Sequence, residues 1–336
     1  MPDLLKGSLN YFLIVIVFPF LLLFMTYYGF ESSYVKIKYL EEPPDFIFSS
    51  VYAYRIIPNY VSVEMNNGLH YIIENYLLML KPILLKSGTV YYHSIFLTNA
   101  IFFGVSFVLF ERVINLLSKN LGFSNQKNLL LFLVGVLLVC MTQYVPTNGD
   151  SIALMFFLMG IFFSLKHQES RKLNYVFLTA FVIFISTFVR ETACLNIAFF
   201  GALFIDFKSL KSLKTKDFTN LIILVLAFII PYILLRTVII QQETTFFEGV
   251  YLRQNFTSPF NLLGLLFGII GIGILRKLVV DKSRKDIFNR FLILSLPYFL
   301  MIVLVGLFWE TRLFLPIFVA AICLASSSKT DLKLSV

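Results

Sequence analysis

Apolar residues run along this chain in long, nearly uninterrupted blocks, and the polar positions fall between them. A membrane-crossing helix needs about 20 apolar residues, with roughly 17–25 as the working range. On that measure the pattern predicts spans near 11–30, 93–112, 128–145, 150–166, 174–189, 191–207, 219–240, 260–276, 289–307 and 311–327. The expectation is an all-α polytopic membrane protein, one transmembrane domain over 1–336 with about ten transmembrane helices. Between the first two spans lies the longest polar segment, 31–92. Its Pro43-Pro44 pair breaks helix and strand alike, and from Asn59 to Leu85 apolar residues recur at helical spacing. That recurrence predicts amphipathic helices at the membrane interface.

Two of the blocks have awkward lengths. The run 173–206 is too long for one span and short for two, and Arg190 and Glu191 stand in its middle. The run 289–327 repeats the arrangement with Glu310 and Arg312. A charge at a bilayer centre costs on the order of 3 kcal/mol by insertion scales, so each run reads as a tight helical hairpin with its charges at the tip. Arg190–Glu191 then reads either as an ion pair locking two helix ends or as part of a functional site.

Composition and charge sharpen this picture. The chain is 58% hydrophobic and only 14% charged, where a soluble domain is nearer a quarter charged. The net charge of +9 does not indicate a nucleic-acid partner, because the basic residues sit in short loops. These are the loops of Arg112, Lys119 and Lys127, of Lys166, Arg171 and Lys172, of Lys208 to Lys216, of Arg276 to Arg290, and the tail with Lys329 and Lys333. The alternate loops are poor in them. The positive-inside rule therefore puts both termini in the cytoplasm and both charged tips on the opposite side. Cys140, Cys194 and Cys323 each lie in an apolar run without metal-ligand spacing. His70 and His93 lack a ligand cluster, so no metal and no cofactor is expected.

The extracytoplasmic loops collect carboxylates and arginines: Glu31, Glu41, Glu42, Asp45 and Arg55 in the first, Asp150 in "PTNGD", and Glu243, Glu248 and Arg253 later. Glu41 and Glu42 read as solvated, and Asp150 as a turn residue and helix cap. A carboxylate can accept a proton from an attacking hydroxyl. A guanidinium offers paired donors to a phosphate and stays charged when partly buried. Together they suit group transfer from a lipid phosphate carrier.

Three local patterns carry a resemblance. Glu31 directly follows the first span, with Tyr34 shortly after; "YAYRIIP" runs from Tyr52 to Pro58; "VRETA" and "WETRLFLP" form the two tips. In these the chain resembles a bacterial branch of the GT-C glycosyltransferases, multi-span enzymes of the inner membrane that use polyprenyl-phosphate sugars on its outer face. The resemblance implies an inverting transferase whose partners are a polyprenyl-phosphate-linked sugar donor, a glycan or lipid acceptor and membrane lipids. It implies a base at Glu31, where the family uses Asp, with Asp45 as the other candidate. Substrate binding would fall to Tyr54, Arg55, Arg190, Glu191, Glu310 and Arg312. A polysaccharide polymerase or ligase of the same pathway and a transporter or flippase are the alternatives. The position of the largest outer loop and the absence of a visible repeat favour the transferase.

Overall fold

The computed structural model describes residues 8–29, 38–44, 48, 51–119, 121–142, 149–207, 215–239 and 250–326, and among them there is no β-strand. The first apolar block forms α1 (Ser8–Phe12), a π-helical stretch (Leu13–Val17) and α2 (Phe18–Tyr28). The long polar segment contributes α3 (Ile56–Tyr76) and the short α4 (Lys81–Leu85). The bundle continues through α5 (Val90–Leu117), α6 (Gln126–Met141), α7 (Gly149–Ser170), α8 (Leu173–Thr187), α9 (Cys194–Phe204) and α10 (Thr215–Val238). It closes with α11 (Leu252–Thr257), α12 (Pro259–Leu278), α13 (Lys282–Leu294), α14 (Leu296–Val305) and α15 (Leu315–Leu324).

Every expected apolar block forms helix, but helix length divides them. Among the described residues five helices are long and apolar enough to cross a membrane: Leu9–Tyr28, α5, α7, α10 and α12. The pair α13–α14, bent by 46°, makes a sixth if taken as one span. The blocks of α6, α8, α9 and α15 form shorter apolar helices. Two of these short helices lie inside the bundle. α15 buries Leu315 and the whole run Ile317 to Leu324, and α9 buries Leu195, Asn196 and Ala198 to Leu203. A helix apolar on every side belongs in a core. Conversely, α10 and α12 turn Ile222, Leu226, Ile230, Ile233, Leu263, Leu266, Ile270 and Ile274 outward. Apolar faces of that size need lipid or a partner to cover them.

The two ends of the bundle are built differently. At one end basic side chains close the turns: Arg284 donates to the carbonyls of Leu117 and Ser326, Arg171 pairs with Asp217 at 3.1 Å, and Arg290 donates to the Ile205 carbonyl at 2.9 Å. At the other end lie the N-termini of α5, α7, α9, α12 and α15 and the C-termini of α8, α10 and α14. There α3 docks through the Ile57 N–H onto the carbonyl of Phe188, at 3.2 Å. The amphipathic expectation for 59–85 holds in part. α3 packs against α5, while Leu78, Met79, Leu80, Ile83 and Leu85 remain exposed.

Gly264 sets how close α12 comes to the turn after α14. A Cβ there would meet the backbone carbonyl of Phe308, whereas a Cβ at Gly104 in α5 would meet nothing. Gly264→Ala is therefore expected to destabilise the protein by about 1–3 kcal/mol through overpacking. Gly104→Ala should be neutral or stabilising by up to about 1 kcal/mol, since Ala is the better helix former. Denaturation of both variants in detergent checks the contrast.

Candidate functional site

The second end of the bundle carries a connected set of charges. Asp150 lies in the first turn of α7, where the helix dipole favours an anion. Its Oδ1 pairs with Arg190 and its Oδ2 accepts from Arg312 Nη1 at 2.8 Å. Arg312 also holds Glu310, with Nη2 at 3.0 Å from Oε2. The aspartate thus ties the turn between α8 and α9 to the turn between α14 and α15. Asp150 and Arg312 are 9% exposed and Arg190 13%, so these are largely internal ion pairs rather than surface ones.

A second pairing lies beside it. Arg236 in the last turn of α10 reaches Glu191 at 3.5 Å. Its guanidinium stacks over the rings of Tyr232 at 3.7 Å and Tyr54 at 4.7 Å, contacts in which the ring face attracts the cation. Arg55 occupies the N-cap position of α3 without a side-chain capping bond, and its guanidinium lies 4.6 Å over the Tyr52 ring. Asn59 fixes that turn by donating to the Tyr52 carbonyl at 2.8 Å. Among the described residues Arg55 has no ion-pair partner, and its Nε is buried without a hydrogen bond.

Electrostatics follow from this layout. Burial alone would push the Glu191 carboxyl up, but the charge of Arg55, a backbone N–H hydrogen bond and the charges of Arg190 and Arg236 together outweigh it and hold it below the ordinary range. Burial, then the like charges of Arg55 and Arg312, push the Arg190 guanidinium down. Among the described residues, four guanidiniums (Arg55, Arg190, Arg236, Arg312) face three carboxylates (Asp150, Glu191, Glu310).

The expected residues fare differently. Tyr54, Arg55, Arg190, Glu191, Glu310 and Arg312 come together at one end. Glu31 and Asp45, the two candidates for the base, lie outside the described residues. Arg190 and Glu191 do not pair with each other. Arg190 is extended (φ −166°, ψ 152°) and Glu191 starts a 3₁₀ turn, so the neighbouring side chains leave in different directions. Asp150 proves to be the node of the network rather than only a turn residue. Arg236 was missed; the available signal was a lone Arg at the C-terminal end of an apolar block, one helical turn after Tyr232.

The charge set borders a hydrogen-bonded bridge from the first block. Asn99 donates to the Tyr27 hydroxyl and accepts from Ser151, next to Asp150, and Tyr92 donates to the Tyr27 carbonyl at 2.7 Å. Among the described residues no group of three or more His, Cys, Asp or Glu is placed to hold a metal ion. Comparison with family models, with curated proteins and with solved structures finds no match for this chain.

Removing Asp150 while keeping its shape would leave the buried Arg190 guanidinium uncompensated and Arg312 with Glu310 as its remaining carboxylate. Asp150→Asn is expected to lower stability by about 3–5 kcal/mol, read as a drop in unfolding midpoint in detergent. The isolated exposed pair Lys166–Glu169 offers the control. Glu169→Gln should change stability by no more than about 1 kcal/mol.

Proposed function

We propose that the protein is a GT-C-type membrane glycosyltransferase. It moves a sugar from a polyprenyl-phosphate carrier to a cell-surface glycan or lipid acceptor. The single observation behind this reading is the surplus guanidinium: Arg55 stands beside a paired network with no carboxylate of its own among the described residues. A phosphate, like a carboxylate, matches the paired donors of a partly buried arginine. Arg190 and Arg236, already held by Asp150 and Glu191, raise the positive potential there without being free to swing away.

In this reading the base, Glu31 or Asp45, takes the proton of the acceptor hydroxyl. That oxygen attacks the anomeric carbon, the carbon–oxygen bond to the phosphate breaks, and the departing phosphate carries the developing charge to Arg55. One displacement with no covalent intermediate inverts the anomeric centre, as the family resemblance implies. Two described anchors flank the base-bearing segments: the Tyr27 bridge ahead of Glu31, and the Tyr52–Asn59 turn after Asp45.

The reading also takes all ten apolar blocks as spanning or membrane-embedded, with the basic end in the cytoplasm of a bacterial inner membrane and the arginine cluster outside. Cysteines introduced at Ser32, Asn148 and Gln254 should then react with an impermeant reagent added from outside. Reaction only from the cytoplasmic side would invert the topology and remove the site from the outer face.

Activity separates Arg55 from its neighbours. With a radiolabelled polyprenyl-phosphate sugar in membranes, Arg55→Ala should depress transfer about 100-fold or more. Arg55→Lys should recover part of it. Glu31→Gln or Asp45→Asn, whichever is the base, should keep donor binding while losing transfer. Full transfer by every variant would contradict the assignment, and vectorial movement of an unmodified solute would favour a transporter instead.

A further inference from the structure

A second polar cleft lies on α3, apart from the charge network. A cavity of about 530 Å³ is lined by Val63, Asn66, Asn67 and His70 of α3 and by Glu42, Pro43 and Phe48 of the preceding segment. The four α3 positions recur at helical spacing and share one face. Asn66 is 4% exposed, yet its Oδ1 is buried without a hydrogen-bond partner. Buried amide groups in folded proteins are almost always paired.

We propose that this cleft binds a neutral glycan. Two amides, a carboxylate and an imidazole supply both donors and acceptors, the mixture that a ring of hydroxyls requires. Phe48 is 47% exposed and braced edge-on by Tyr60, with ring centroids 5.8 Å apart. It offers an apolar face to the carbon–hydrogen side of a sugar. A phosphate or other anion is disfavoured, because no Lys or Arg is among the described lining residues and Glu42 would oppose it. Glu42, which reads from sequence as merely solvated, is in this account a hydroxyl acceptor. The volume accommodates a small oligosaccharide rather than a single small ion. As the acceptor side of a transfer reaction the cleft rests on the glycosyltransferase reading; as a glycan site it does not.

The test is saturation-transfer NMR on the full-length protein in lipid nanodiscs, with maltotriose, mannotriose and triacetylchitotriose as probes. At least one trisaccharide should receive saturation. Asn66→Ala, and independently the exposed-site variants Asn67→Ala and Glu42→Gln, should each weaken binding at least 10-fold. Inorganic phosphate should not compete. The inference is overturned if no probe binds, if phosphate displaces the bound sugar, or if Asn67→Ala and Glu42→Gln bind as well as wild type. Glycan binding without any sugar transfer from the lipid donor would leave the cleft standing and remove the transferase reading. Unchanged transfer to acceptor by Asn67→Ala and Glu42→Gln would leave the transferase reading standing and remove the cleft's role as its acceptor side.

Discussion

The carboxylate of Asp150, held between Arg190 and Arg312, is the contact on which this end of the bundle depends. Each of the three comes from a different part of the chain, and none could be buried alone, since an unpaired internal charge costs several kcal/mol. Together they pin two inter-helix turns to the start of α7. Those turns lead into α9 and α15, the short helices that are buried on nearly every side. The ion pairs therefore fix how two core helices enter the bundle. The short length of those helices is in turn what brings the arginines in from the surface.

Pairing also sorts the arginines by what they are free to do. Arg190, Arg236 and Arg312 are committed to carboxylates. Such pairs are weak evidence for net stability, because desolvation offsets much of the attraction, but breaking one is costly. Arg55 differs. It stands at the N-cap position of α3 over the Tyr52 ring, close enough to Glu191 to lower the carboxyl's proton affinity, but with no ion pair among the described residues. The committed arginines act as struts that also carry field, and on the proposed function the uncommitted one is the group that meets the ligand.

Much of this was legible in the residue pattern, and the parts that were not have physical reasons. Hydrophobic blocks located the helices because burial in lipid or core requires them. Block length could not separate a span from a short core helix: α9 and α15 are as apolar as α10 but sit inside the bundle, a difference set by tertiary packing. The charged tips were visible as anomalies in apolar runs. Their partners were not, because neighbours in sequence such as Arg190 and Glu191 diverge in space, and Asp150 looks like an ordinary turn residue until two arginines converge on it. Arg236 was hidden by its position at a span end, where a basic residue commonly signals only topology. The orphaned amide of Asn66 carries no sequence signature at all.

The central claim of the proposed function is that a lipid phosphate meets Arg55 at the end of the bundle that carries the Asp150–Arg190–Arg312 network, not at the end closed by Arg171, Arg284 and Arg290. Photo-crosslinking tests it most directly. A polyprenyl phosphate carrying a photoreactive group beside its phosphate is bound to the protein in nanodiscs, and the adducts are mapped by mass spectrometry. The account predicts adducts in the segments around Tyr52 to Arg55, Arg190 and Arg236, lost in Arg55→Ala. Adducts confined to the opposite end, around Lys119 and Arg284, would contradict it.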